Sequence, residues 1–302
     1  MFRKSEKMTG AGALLSAALI YATFGILIRE SSEMFGNGAQ IAIRFAAAAF
    51  LILIFKLILQ KTLTLSRQQT VKTLSLGVVF ALIVIFFTIA VNETKIANSV
   101  FLLYAGSIIS SLIVGTMFLK ESLSKAKILA IIVAVCGLAM FADNFLVLSI
   151  GVVAGFVSGL FDGVGNAIRK SLKGADRNLV VMYSYAIGAA VALIMALGSG
   201  EQMVSQFSWS AIITMAIFVG LMIGISNLLL YGFQHFDVNV GTIILSCELV
   251  FATILGYLFF REIPSVPELV GGALVFSASA LTVLDSSTRW RQLFAKRERS
   301  LK

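Results

Sequence analysis

Two carboxyl groups of this chain stand inside long apolar runs, where an ionised side chain costs at least about 2.5–3.5 kcal/mol on insertion scales. Glu248 lies near the middle of the run from 238 to 260, and Asp162 lies toward the C-terminal end of the run from 148 to 168. An acid kept at such depth faces a cavity, where it binds a cationic group of a ligand or exchanges a proton. Ser158, Asp162, Asn166 and Arg169 are spaced i, i+4, i+8 and i+11, one polar face of a helix. Gly151, Gly155, Gly159 and Gly163 recur every fourth residue on an adjacent face and let another helix approach the backbone. Tyr104, Ser107 and Ser111 bring hydroxyls to the run from 96 to 119, while Asn227 and Tyr231 share a face with Gly220 and Gly224 in the run from 209 to 233. The candidate substrate-binding or proton-coupling residues are therefore Glu248, Asp162, Asn166, Ser158, Asn227, Tyr231, Ser107 and Tyr104. None of these patterns is a metal or cofactor motif.

Each candidate also has a plainer reading. Asp162 would pair with Arg169 within its own helix or cap a fraying end, and Glu248 would be a protonated carboxyl bonded to backbone or Ser. Asn227 and Tyr231 would bond between helices; Ser16, Tyr21 and Thr23 are weaker candidates, since Ser and Thr in spanning helices satisfy their own backbone. Phe86, Phe87, Phe101 and Phe161 would stack a planar substrate or, as is far commoner, face lipid or core. The single His235, beside Asp237 in a short connector, reads as an interface residue.

The elements that must position these groups are membrane helices. Hydrophobic residues make up 59% of the 302-residue chain and charged ones 13%, with a mean hydropathy of +0.97, far from the soluble mix of roughly 25% charged. A span needs about 20 apolar residues, and ten windows qualify: 10–29, 39–60, 72–92, 96–119, 126–142, 148–168, 178–197, 209–233, 238–260 and 267–285. The basic stretch before the first window and the absence of a processing site mark it as an uncleaved span. Little chain is left for a soluble domain. Cys136 and Cys247 both fall within spans, with no disulfide framework around them.

The net charge of +9 does not mark a nucleic-acid binder. Its basic residues cluster at 3–7, 61–72, 120–127, 169–177 and 289–302, connectors that all fall on one side, while the other side holds Arg29, Lys95 and Arg261. The positive-inside rule then puts both termini in the cytoplasm of a multi-pass protein of the bacterial inner-membrane type, with anionic lipid as a contact. The basic tail from Ser286, carrying Trp290, Leu293 and Phe294, would lie on the membrane surface or in solvent.

The chain is also written twice. Ala97 to Ser122 matches Val238 to Ile263 when Lys120-Glu121 is laid on Arg261-Glu262, and Ile28-Arg29-Glu30-Ser31 falls on Ile168-Arg169-Lys170-Ser171. With five spans per copy the second enters the membrane inverted, as in secondary transporters that rock two halves about a midplane site. This alignment sets Ser107 opposite Glu248, an asymmetric site with the acid on one side. The organisation read here is a first repeat at 1–146, an inverted second repeat at 147–285 and a cytoplasmic tail at 286–302.

Three stretches carry a family resemblance: Gly106 to Glu121, Cys247 to Glu262 and the Arg44-Phe45 pair. From about Ala11 to Leu284 the chain resembles EamA-type members of the drug/metabolite transporter superfamily. The resemblance implies an all-α integral membrane protein of ten transmembrane helices, two inverted five-helix repeats around a central cavity walled by spans one, three, four, six, eight and nine. It also implies a proline midway along spans four and nine. Here Leu249 follows Glu248 instead, and Ile108 or Ile109 stands near the equivalent place, so straighter helices are expected.

Taken together, the sequence points to a secondary or facilitative transporter, an exporter of small metabolites such as amino acids or related amphipathic compounds, with protons as a coupling ion. The rivals are an uptake permease for a nucleotide-like or amino-acid nutrient and a non-transporting sensor or partner subunit. An enzyme is disfavoured, since neither acid has a partner motif. Gly271, Gly272, Ser277 and Ala278 in the last span suit close helix packing or a homodimer face.

Overall fold

The computed structural model describes residues 4–59, 61–140 and 149–281, with the side chains of residues 4–7 left aside. The basic tail and the ends of the expected fifth and tenth spans lie outside the described residues. Twelve helices cover nearly all the rest: α1 (Lys4–Tyr21), α2 (Phe24–Ser32), α3 (Asn37–Ile58), α4 (Arg67–Glu93), α5 (Ile96–Met117), α6 (Lys125–Ala139), α7 (Ile150–Ser171), α8 (Arg177–Gly198), α9 (Trp209–His235), α10 (Val238–Leu245), α11 (Glu248–Phe260) and α12 (Val266–Leu281). Among the described residues there is no strand beyond one isolated bridge, Phe35 to Val204. Several helix starts are written in the sequence: the side chains of Ser66, Ser124, Ser149, Asp176 and Ser208 each accept a hydrogen bond from a first-turn backbone N–H.

Eight helical stretches are long and apolar enough to cross a membrane, with α1–α2 and α10–α11 each counted as one; α6 and α12 are shorter within the described residues. Their outward faces are apolar, as at Phe50, Leu51, Phe55 and Ile58 of α3. This is a multi-pass membrane protein in which every backbone group must be satisfied inside the helices.

Packing runs between the two parts of the chain more than along it. α7 lies against α4 and α5, α3 against α8, and α1 against α9, while helices adjacent in sequence touch sparsely. The small residues of α7 explain its closeness to α5. A Cβ on Gly159 would fall 2.0 Å from the Leu103 carbonyl oxygen, and one on Gly163 would fall 2.6 Å from the Ser111 nitrogen. Gly106 answers from α5, where a Cβ would lie 2.4 Å from the Phe156 carbonyl oxygen. α6 and α12 meet in the same way through Gly137 and the Gly271 carbonyl, so buried Gly271, Gly272 and Ala278 pack within the chain, while Ser277 is exposed. Both ends of the α3–α8 pair are tied. Glu201 accepts from the Gly38 and Ala39 N–H groups at the start of α3, and Lys56 pairs with Asp176, the N-cap of α8.

The expected straightness holds for the fourth span, where α5 is unbroken, and not for the ninth, which breaks at Ser246-Cys247; the first span also breaks, at Ala22-Thr23, and neither break has a proline. Hydroxyls substitute for it: Ser246 Oγ donates to the Ile243 carbonyl at 2.7 Å and Thr23 Oγ1 to the Ile20 carbonyl at 2.7 Å, competing with the backbone ladder. The i→i−3 bonds Cys247 N to Ile244 O and Leu249 N to Ser246 O tighten the ninth-span break. The break starts a fresh helix at Glu248, which fixes the height of that carboxylate.

Candidate functional site

Helices from both parts of the chain line a partly open cavity whose free space, open solvent included, is about 640 Å³. Glu248 opens α11 on one wall and is 4% exposed. Tyr104 of α5, itself buried, donates its hydroxyl to Glu248 Oε2 at 2.6 Å. One helical turn further along α5, Ser107 donates to Asp162 Oδ2 at 2.6 Å. Asn166 donates to the same oxygen at 2.9 Å and accepts from Arg169, whose Nη1 stands 3.6 Å from Asp162 Oδ1. Asp162 thus lines the cavity and also belongs to the intrahelical pair with Arg169. Both acids, Glu248 of α11 and Asp162 of α7, come from the second part of the chain and are held by hydroxyls of α5 in the first part.

Ser158 is fully buried and donates to the Ile83 carbonyl at 2.8 Å, a tie between α7 and α4; Ser158 itself is not part of the lining. Asn227 and Tyr231 also lie outside the lining. Asn227 donates to its own helix at the Ile223 carbonyl, and the Tyr231 hydroxyl bonds Thr9 Oγ1 at 2.9 Å. The reason is the rotation of α9: Gly220 and Gly224 on their face are exposed, and the inward face presents Phe218, Met222 and Ile225. Phe87 borders the cavity, whereas Phe86 stacks on Phe161 at 6.1 Å and Phe101 packs into the core.

Three of the lining groups not singled out from the sequence as site residues come from helices outside the expected wall. Arg44 and Phe45 of α3 and Tyr185 of α8 bring the second and seventh spans into the wall, beyond the six implied by the resemblance. Tyr185 donates to the Met222 carbonyl at 2.7 Å and sits 2.6 Å from Ser226 Oγ. A smaller space of about 260 Å³ lies beyond Phe80 and Tyr185, bordered by Arg169. Arg44 did carry a signal: a charge in an apolar run, the argument that selected Glu248 and Asp162. The cavity is walled mainly by apolar and aromatic side chains and carries both signs of charge in Arg44, Asp162 and Glu248, with no cluster of His, Cys, Asp or Glu suited to a metal among the described residues.

The model of the EamA-like transporter family matches residues 8–142 and again 149–284. The chain belongs to the EamA-like transporter family. It is similar to the pseudopaline exporter CntI of Pseudomonas aeruginosa, at 26% identity over 89% of this chain and 94% of that protein. It is also similar to an uncharacterised transporter of Archaeoglobus fulgidus, at 23% identity over 89% and 94% of the two chains. A solved crystal structure superposes with a TM-score of 0.74 over 96% of this chain and 99% of the other; at 16% identity it speaks for the fold alone. This EamA-like chain is accordingly a membrane transporter and not an enzyme. Its partners are a small-molecule substrate and the lipid bilayer.

Proposed function

We propose that this transporter exports small amphipathic metabolites, such as amino acids or related compounds, by alternating access, with both termini in the cytoplasm. The observation that carries the reading is the cavity, built from both parts of the chain, with Glu248 and Asp162 on its wall. The fuller architecture is ten spans in two inverted repeats, 1–146 and 147–285, followed by the tail. Its support is the double family match and a shared turn: Lys120 and Arg261 are the two non-glycine residues of positive φ among the described residues, both at 53°, and each precedes a glutamate.

In the cycle, Tyr104 and Ser107 hold Glu248 and Asp162 in place for a substrate amine or a proton. One charge moved across 100 mV is worth about 2.3 kcal/mol, so a single proton per cycle drives a useful gradient. The outward direction takes support from the named function of the Pseudomonas relative, without its substrate.

The test compares metabolites in medium and cells for the wild type, Glu248→Gln and an empty vector, with membrane levels of both proteins matched. The expected result is a metabolite enriched outside by the wild type alone. Enrichment inside the cells would replace export by uptake, and no change in either compartment would favour a sensor or partner subunit.

A further inference from the structure

Arg44 is the buried cation of the cavity wall that the acids do not serve. It lies seven residues into α3, about 10 Å along the helix. It is 1% exposed, and no ion pair joins it to a carboxylate among the described residues. A guanidinium offers five N–H donors. Two are taken at long range, by Gln40 Oε1 at 3.3 Å and Thr88 Oγ1 at 3.4 Å, and Nε has no partner at all. The guanidinium lies over the Phe218 ring, its Cζ 4.3 Å from the ring centroid.

A structural arginine at this depth would be matched by a carboxylate or by well-formed bonds to carbonyls, since an unmatched buried charge is costly. Arg29 of the same protein illustrates that case, with Glu262 and the Val91 and Thr94 carbonyls all within 3.3 Å. Arg44 has instead a planar fork with donors to spare, bordering a cavity whose lining includes the aromatic rings of Phe24, Phe45, Phe87 and Tyr185 as well as Asp162 and Glu248.

We infer that Arg44 is the subsite for an oxyanion, a carboxylate or phosphate group, carried by a substrate with an apolar or aromatic body. The carboxylate end engages the free edge of the guanidinium in paired, charge-assisted hydrogen bonds. The body lies against the aromatic walls, and the far end points toward Glu248. The inference rests on the transporter reading for its consequence, which is selection of the cargo, but binding and flux report on the two separately.

The experiment uses the full chain in lipid nanodiscs and measures equilibrium binding of matched probes: 3-phenylpropanoate, 3-indolepropanoate and hexanoate, each beside its neutral amide, with 2-phenylethylphosphonate to separate phosphate from carboxylate recognition. The wild type should bind at least one acid about tenfold or more tightly than its amide. Arg44→Gln should erase that preference while amide binding stays within about twofold, and Arg44→Lys should restore part of it. A tighter phosphonate than carboxylate would assign the subsite to phosphate esters, and the reverse to carboxylates. No acid preferred over its amide in the wild type would overturn the inference without any variant. Equal loss of acid and amide in Arg44→Gln, in a protein that still folds, would also overturn it by making Arg44 a packing residue. Flux of the preferred acid into sealed vesicles tests transport independently: binding without flux sinks the export reading and leaves the subsite standing.

Discussion

The ends of α5 and α11 are built from nearly the same residues and hold their surroundings very differently. Gly115-Thr-Met-Phe-Leu-Lys120-Glu121 closes one and Gly256-Tyr-Leu-Phe-Phe-Arg261-Glu262 closes the other. Each basic residue takes the left-handed conformation at φ 53°, a strain of about 1 kcal/mol for a side chain with a Cβ. Each following glutamate donates its N–H back to the glycine carbonyl, at 2.9 Å for Glu121 and 3.2 Å for Glu262. There the likeness stops. Glu121, its side chain 2% exposed, accepts from the Val238 and Asn239 N–H groups at the start of α10, from the Asn239 side chain and from Lys170. It caps α10 from the turn after α5, while Asp237, the residue in the N-cap position, spends its carboxylate on Lys127 and Lys170. Glu262 meets Arg29 through Oε1 alone, and its buried Oε2 has no partner. In the repeat alignment, the helix start matching that of α10 is that of α5, at Ile96–Asn98, and no hydrogen bond from Glu262 reaches it. Local sequence dictates the turn; only the neighbour decides whether the turn becomes a clamp.

The comparison is broken most directly by truncating each acid. Glu121→Ala leaves Lys170 half-paired and two helix-start N–H groups bare, so unfolding in mixed micelles should become easier by about 2–4 kcal/mol. Glu262→Ala leaves Arg29 its two carbonyls and the Phe260 ring, and should cost about 1 kcal/mol or less. Equal losses would mean that the two ends are equivalent. A second measurement sharpens the same contrast in motion. In a Cys136→Ser background, Cys247 sits fully buried at the break between α10 and α11. Freeing the start of α10 by Glu121→Ala should speed its modification by a water-soluble maleimide about fivefold or more, well below the unfolding temperature. Glu262→Ala should leave that rate unchanged. Acceleration in both variants would point to general loosening rather than release of one helix.

How much of this was legible beforehand depends on whether the determinant is local. The apolar runs and the glycine stripe of α7 follow from composition and spacing, and helix period alone puts Tyr104 and Ser107 on one face of α5; that Glu248 and Asp162 meet that face is a tertiary fact, made by contacts 144 and 55 positions apart. Asn227 and Tyr231 fail on the same evidence. Their face of α9 is as regular as that of α7, but which side of α9 turns inward is set by Phe218 and Met222 packing against other helices. The breaks at Thr23 and Ser246 left no proline to read, and a hydroxyl that bonds its own backbone looks the same in sequence as one that does not. Arg44 was visible as a charge at depth, yet its missing counter-ion is a statement about the whole bundle. Glu121 showed itself only as the end of a repeat, since its role as a cap for α10 joins residues more than a hundred positions apart.

The smallest expected effect separates the two ends by pH. Burial alone would raise the Asp237 carboxyl, but the nearby Lys170 charge and the hydrogen bond and charge of Lys127 outweigh it and hold the group below its ordinary value of 3.8. A carboxyl that is more acidic folded than unfolded adds stability when ionised. That contribution is present above about pH 3.8 and drains away as pH falls through the lower folded value. Asp237 is 41% exposed, so solvent screening keeps the contribution small. Asp237→Asn should therefore lower stability slightly at neutral pH and flatten the fall on acidification, with the two proteins converging in the most acidic samples. The same substitution made in Glu121→Ala should have a different effect, because Lys170 then has Asp237 as its one remaining carboxylate. If the acid slope of the double variant equals the sum of the two single changes, Glu121, Lys170 and Asp237 act as separate pairs. If it does not, they form one coupled clamp, and the contrast with the lone Arg29–Glu262 pair extends from contacts to energetics.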